Sequence, residues 1–362
     1  MKKIKLALLV FILAWAVLSA QGQLWDRFRG DGVHTGSSSY NGCTSGGIKW
    51  GYTTEGEVVS SPVLDSAGRV YIGSDDGNLY CLSPQGEVVW KFNGGEKVSS
   101  TPGIYQEVVY FGCDNGWFYA LSLNGKLLWK YHTWGPAGSP NFLGDKIYFG
   151  SQDGCLYALS LTGKPVWKYK TRDKVRTAPA VLGNNIYFGS DDGTFYVLNL
   201  QGKLQWFYKT QGRIRSSAAL DAAGNIYFGS LDGNLYALSS QGKLLWSFKA
   251  KGPIVSSPAV GPDNNIYIGS DDRNLYALNS SGKQLWQFTC RFEVESSPLV
   301  DTAGNVYFGS DDNNFYALDK YGKELWRYRT QLCIYSSPAL GADGTVYVGS
   351  EDGRIYAFSN SN

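Results

Sequence analysis

Several side-chain patterns in this 362-residue sequence are of types that can do chemistry. A glycine followed by serine or cysteine recurs at Gly73, Gly112, Gly150, Gly189, Gly229, Gly269, Gly309 and Gly349. A nucleophilic serine on a sharp elbow needs a G-x-S-x-G frame, which is missing around these pairs, and eight copies cannot all be catalytic. Carboxylate-rich loops such as Asp75 to Asn78 have the residue types of a calcium site. They are too short to bring six or more oxygens to one ion, and tight-turn chemistry accounts for Asp, Gly and Asn there. The only histidines are His34 and His132, which supports neither a Ser-His-Asp triad nor a histidine-rich metal centre. No catalytic, cofactor-binding or metal-ligating residue is assigned.

What remains is chemistry suited to binding. Lys174, Arg176, Arg213 and Arg215 form two alternating basic pairs, and Glu293 and Glu295 form an acidic pair beside Phe292. Trp134 and Tyr335 add aromatic surface. Mixed charge with large aromatics is the composition of a protein-binding surface.

The elements that must carry these residues follow from a repeat. Trp50, Trp90, Trp129, Trp167, Trp206, Trp246, Trp286 and Trp326 recur at intervals of 38 to 40 residues. A period near 40 in short apolar runs punctuated by turns predicts propeller blades. In the sixth unit, Ser257 to Val260, Asn265 to Ile268, Leu275 to Leu278 and Gln284 to Phe288 read as four strands, separated by clusters of Gly, Asp, Asn and Ser. The prediction is an all-β, eight-bladed propeller of four-stranded antiparallel blades with almost no helix after the leader. Sixteen of the 25 tyrosines fall in two repeat columns, through Tyr71 and Tyr80, and are expected to be framework.

The eighth unit stops at Ala357-Phe358 without a fourth strand, whereas Gly47 to Trp50 resembles an orphan outer strand. Pairing the two would close the ring and remove two exposed sheet edges. Subtracting the repeat then exposes the variable positions. Three residues before the Pro of each inner strand, or Ala218 in the fifth unit, the chain reads Val59, Ser99, Ala137, Arg176, Arg215, Val255, Glu295 and Tyr335. Two residues earlier it reads Glu57, Lys97, Gly135, Lys174, Arg213, Pro253, Glu293 and Cys333. These columns are expected to ring one mouth of the central channel, with basic and acidic sectors.

Lys2, Lys3 and Lys5 precede a 13-residue apolar run, Leu6 to Leu18, and Ala20-Gln21-Gly22 reads as a cleavage site. Residues 1–22 are therefore expected to be a signal peptide, 23–46 an extension over one face, 47–358 the propeller and 359–362 a tail. The run is short for a membrane span, so the mature chain is expected to lack a transmembrane segment and to be periplasmic or secreted. Removing three lysines leaves 30 basic against 31 acidic residues, a net charge of −1, which does not point to nucleic acid. A monomer is expected.

Six cysteines in an exported chain permit disulfides. Their phase in the repeat suggests Cys113–Cys155, Cys290–Cys333 and Cys43–Cys81. Cys81 also occupies a position filled elsewhere by buried Ala, which allows a free core thiol instead.

Ala120-Leu121-Ser122-Leu123-Asn124-Gly125-Lys126-Leu127-Leu128-Trp129 resembles the tryptophan-docking repeat, A-x-x-x-x-G-K-x-x-W, of the pyrroloquinoline-quinone-like propellers. Related copies end at Trp167, Trp246, Trp286 and Trp326, and Trp25 to Gly32 is similar to the entry segment of exported members. The resemblance spans essentially the whole mature chain. The family's dehydrogenases carry long inter-blade insertions, a calcium site and an aspartate base, to which no residue here corresponds. The bare units are closer to the family's compact, non-catalytic members. The resemblance thus implies a cofactor-free scaffold for another envelope or extracellular protein, as in outer-membrane assembly. A polysaccharide-binding module is the alternative, and a quinone-dependent dehydrogenase the third reading.

Overall fold

The computed structural model describes residues 24–361, so the expected signal peptide, residues 1–22, lies outside the described residues. Eight four-stranded antiparallel sheets follow one another around the ring, and no helix occurs among the described residues. The first blade runs through Val63–Leu64, Val70–Gly73, Asn78–Leu82 and Val88–Asn93. Its first three strands are buried throughout, being sandwiched between neighbouring blades, and are accordingly continuous apolar runs. The fourth alternates between exposed and half-buried, because only one of its faces has a neighbour.

The register slips once in each outer strand, as where Ala120 pairs with Trp129 but Leu121 pairs with Leu127. The skipped residue, Leu128, is a bulge that turns outward. The same slip in the other blades explains why Val89, Val166, Leu245 and Leu285 are exposed although apolar.

Two devices bind blade to blade. The first is the indole. Trp90 Nε1 donates to the Leu123 carbonyl at 2.9 Å, and Trp129 to that of Leu161 at 2.9 Å. Each ring lies on the glycine of the next blade's last turn. A Cβ on Gly125, which has φ +78°, would stand 2.7 Å from the Trp90 ring, so a side chain is excluded twice over. This is the physical content of the glycine and tryptophan in the repeat.

The second device is a belt of serines around the channel. Ser217 Oγ accepts from Ala178 N, Ser257 Oγ from Ser217 N, and Ser297 Oγ from Ser257 N, each at 2.9 Å. Ser337 Oγ accepts from Ser297 N at 3.2 Å, and Ser61 Oγ from Ser337 N at 2.9 Å. The belt therefore crosses from the eighth blade to the first with the same bond it uses elsewhere.

Closure occurs as the chain ends suggest. Gly47–Thr53 is the outer strand of the last blade, pairing Ile48 with Phe358 and Tyr52 with Ile355. The residues before it do more than lie on one face. From Trp25 to Ser38 the extension visits the ends of successive inner strands. Its carbonyls at Trp25, Asp26, Gly32, Val33, Thr35 and Gly36 accept from the amides of Leu64, Ile104, Val181, Leu220, Val260 and Val300. It therefore caps the channel mouth at the ends of the inner strands.

The cysteines depart from the sequence-based expectation. All six are free, so Cys113–Cys155, Cys290–Cys333 and Cys43–Cys81 do not form. Cys113 occupies the serine position of the Gly-Ser pair, and its thiol contacts the carbonyls of Glu96 and Lys97, as Ser190 Oγ contacts those of Asp173 and Lys174. Cys81 packs as a small core residue opposite Trp90, as its alignment with Ala allowed. Cys43 is held in the extension against Trp326. In the third blade the connection is one residue shorter than its neighbours. Ala137 is consequently buried and takes the structural role of Val98, not a place on the rim.

Candidate functional site

At the opposite mouth, each unit contributes its blade-to-blade connection and the turn between its second and third strands. The two are tied by backbone bonds, from Asp75 N to Glu57 O, Asp191 N to Lys174 O, and Asp311 N to Glu293 O, at 2.8, 2.8 and 3.0 Å. The turn's two leading carboxylates have separate tasks. The second is structural: Asp76 accepts from the Asn78 amide at 2.8 Å, the Tyr80 hydroxyl at 2.6 Å and the Glu55 amide at 3.1 Å. The first is free to vary, and forms a column of Asp75, Asp114, Gln152, Asp191, Leu231, Asp271, Asp311 and Glu351. Sequence reasoning absorbed this column into turn chemistry. The signal was present, since a turn uses one Asp and these loops carry two.

The basic side of the mouth is partly neutralised from within. Arg176 Nε and Arg215 Nε reach the two oxygens of Asp191 at 3.0 and 3.2 Å, across the blade boundary. The Asp191 side chain is only 3% exposed, so both arginines serve a buried carboxylate. Lys97 likewise meets Asp75 at 2.5 Å. Lys174 and Arg213 remain exposed on the outer rim.

On the acidic side no ion pair forms among the described residues, and Arg215 and Lys97 act on Glu295 and Glu351 only from a distance. Asp271, Glu293, Glu295, Asp311 and Glu351 come from three successive blades and the connections between them. Burial, then the charges of Asp271, Asp311 and Glu293, pushes the Glu295 carboxyl up to about 7, with Arg215 opposing. Burial also pushes Asp311 up to about 7, with Tyr335 opposing as a hydrogen-bond partner and Glu293 adding. Asp271 rises to about 6 through burial and the charge of Glu293. One buried oxygen of Asp271 and one of Asp311 lack a hydrogen-bond partner. Phe292 and Leu332 stand exposed beside these acids, and Tyr335 is half-buried among them.

Phe292, Glu293, Glu295 and Tyr335 thus come together, and Arg176 and Arg215 converge on one carboxylate. Trp134 lies elsewhere on the ring, on the connection between the second and third blades. It is 84% exposed and packs edge-on against His132, which packs in turn against Trp117. Among the described residues, no three His, Cys, Asp or Glu side chains are placed to hold a metal ion.

The architecture is that of a pyrroloquinoline-quinone-like eight-bladed propeller. Residues 138–361 match the family described as "Beta-alanine-activating enzyme, beta-propeller", and the chain belongs to that β-propeller family. Residues 40–162 also match the family described as "Outer membrane protein assembly factor BamB". No curated protein matches in sequence.

Among solved structures, BamB from Moraxella catarrhalis is similar at 17% identity and TM-score 0.75, over 87% of this chain and 99% of that one. A europium-containing methanol dehydrogenase is similar at 15% identity and TM-score 0.82, over 93% of this chain and 98% of that one. The quinohemoprotein alcohol dehydrogenase from Comamonas testosteroni is similar at 15% identity and TM-score 0.80, over 94% and 81%. At these identities the likeness is one of fold, and the fold serves both an assembly factor and dehydrogenases.

Proposed function

We propose that this protein is an exported, non-enzymatic scaffold that docks a protein partner through the channel mouth opposite its capped end, in cell-envelope assembly. The observation that carries the reading is the crowded acidic sector of Asp271, Glu293, Glu295, Asp311 and Glu351, in which no carboxylate is ion-paired among the described residues, flanked by exposed Phe292 and Leu332. Like charges crowded on half-buried positions weaken a fold unless something meets them. A basic partner surface with an apolar anchor would do so. The match to the assembly-factor family over residues 40–162 favours the same reading. A dehydrogenase reading has only the shared ring behind it.

Localisation outside the cytoplasm rests on the lysine-led apolar run, and no helix among the described residues is long and apolar enough to cross a membrane. The test is affinity capture from envelope extract at low and high salt. A retained basic protein released by salt supports the scaffold; retention of nothing but salt-insensitive background rejects it.

One observation favours a polymer-binding alternative. Exposed His132 and Trp134, backed by half-buried Trp117, form an aromatic group where the other blades carry mainly polar side chains. Retention on immobilised polysaccharide that is lost in Trp134→Ala would support it.

A further inference from the structure

The capping extension carries a cation that the docking mouth does not use. Arg29 is 1% exposed, in the middle of a segment that closes one end of the channel. Its Nη2 donates at 3.1 Å to the carbonyl of Pro258, just before the innermost strand of the sixth blade, Ala259–Val260. Its Nε and Nη1 have no partner. Asp31 acts on the guanidinium by charge but makes no hydrogen bond to these nitrogens. The Asp31 oxygens are occupied by the amides of Val33 and Thr35 at 3.0 Å and by the Thr35 hydroxyl at 2.5 Å.

His34 lies beside this group, also 1% exposed. The Asn141 amide nitrogen lies 3.3 Å from its Nε2, but both amide hydrogens are donated to the carbonyls of Gly32 and Pro179, at 2.8 and 2.9 Å. The imidazole Nδ1 has no partner in strict hydrogen-bond geometry, although the ring does interact with the Ala218 backbone, which opposes the lowering of its titration. Burial and the nearby arginines hold the imidazole neutral, with its titration pushed down to about 3. Burial also lowers Arg29 to about 9, with the charge of Asp31 opposing, which still leaves it charged at neutral pH.

The backbone is bent to present both side chains. Arg29 and His34 adopt φ of 63° and 58°, a left-handed conformation uncommon for such residues. Gly36 is required beside them, because a Cβ there would stand 1.9 Å from Arg29 Nη2. Strain of this kind collects at sites that hold something. A buried guanidinium whose one hydrogen-bond acceptor is a neutral carbonyl is only partly compensated, here by the more distant charge of Asp31, and buried charges are usually paired directly.

We propose that the capped channel binds a small inorganic anion at Nε and Nη1 of Arg29, and that the anion pins the extension in place. The site is closed to large ligands, because the extension and the inner strands surround it. It is independent of the partner-docking reading.

The test is thermal melting of the mature protein at constant ionic strength, exchanging chloride or bromide for a bulky organic anion that cannot enter the channel. Saturable binding predicts a rise of about 2 °C for each tenfold increase in halide. In Arg29→Met the same exchange should produce no rise, which separates the site from general salt effects. Should that variant fail to fold, crystals of the wild type soaked in bromide decide the matter. An anomalous peak within hydrogen-bond distance of Arg29 supports the proposal. Melting that ignores the exchange, with no bromide at Arg29 in soaked crystals, overturns it.

Discussion

The indole Nε1 of Trp326 donates to the carbonyl oxygen of Cys43 at 3.0 Å, across 283 residues of sequence. Every other bonded tryptophan of the column docks on the next blade's last turn, but the seventh blade's docks on the segment that leads into the closing strand. Gly46, with φ +63°, takes the place of the turn glycine, and a Cβ there would lie 2.4 Å from the Trp326 ring. The N-terminal region thus supplies both the eighth outer strand and the eighth dock.

Trp326 is buried to 8% exposure, whereas Trp90 and Trp129 are only half-buried. Truncation of Trp326 to Ala is expected to cost about 3–5 kcal/mol, and Trp90→Ala less, in proportion to its smaller buried area. Denaturant unfolding of the two variants checks the order. Deleting residues 47–54 should lower the melting temperature of the whole ring.

The mouth acids give stability a pH dependence of unusual sign. Glu295 titrates at about 7 in the fold against about 4.5 unfolded, so the folded state holds the proton more tightly. Its contribution favours folding below pH 4.5 and turns against it as pH rises through 7. His34, lowered from 6.5 to about 3, works oppositely and loses its contribution as pH falls from 6.5 towards 3. Glu295→Gln isolates the first effect: it should melt higher than wild type at pH 8, with the gap narrowing towards pH 5. A gap independent of pH would contradict the assignment.

The two basic pairs are expected to separate under mutation. Arg176→Ala with Arg215→Ala strands the carboxylate of Asp191 and should cost roughly 2 kcal/mol, below the usual range for a broken buried pair because the arginines are about a third exposed. Lys174→Ala with Arg213→Ala should leave the melting temperature unchanged. Charge reversal at Arg176 and Arg215 is therefore a test of folding as much as of docking.

Thiol titration of the denatured, unreduced protein should count six cysteines, as all six are free. A count of four or fewer would show pairing that the fold does not form.

The ring was legible because its signals are local and repeated: the tryptophan interval, the turn clusters, and the orphan strand ending at Trp50. Closure was legible from a strand missing at one end and surplus at the other. The cysteines misled because phase in a repeat does not say which way a side chain turns. Cys113 replaces a serine that faces the neighbouring loop's carbonyls, and Cys155 lies in a strand of another blade. The inner carboxylates, such as Asp191 and Asp311, were hidden because two adjacent aspartates read as a single turn. The Arg176–Asp191–Arg215 clamp depends on proximity across a blade boundary, which no local pattern encodes.

Whether the mouth is a docking surface is decided by titrating the captured partner against wild type and Glu293→Gln/Glu295→Gln by calorimetry. Both substitutions leave the blades intact and remove only charge. The account predicts at least a tenfold weaker Kd in the double variant, with a melting temperature equal to or above wild type. An unchanged Kd would contradict it.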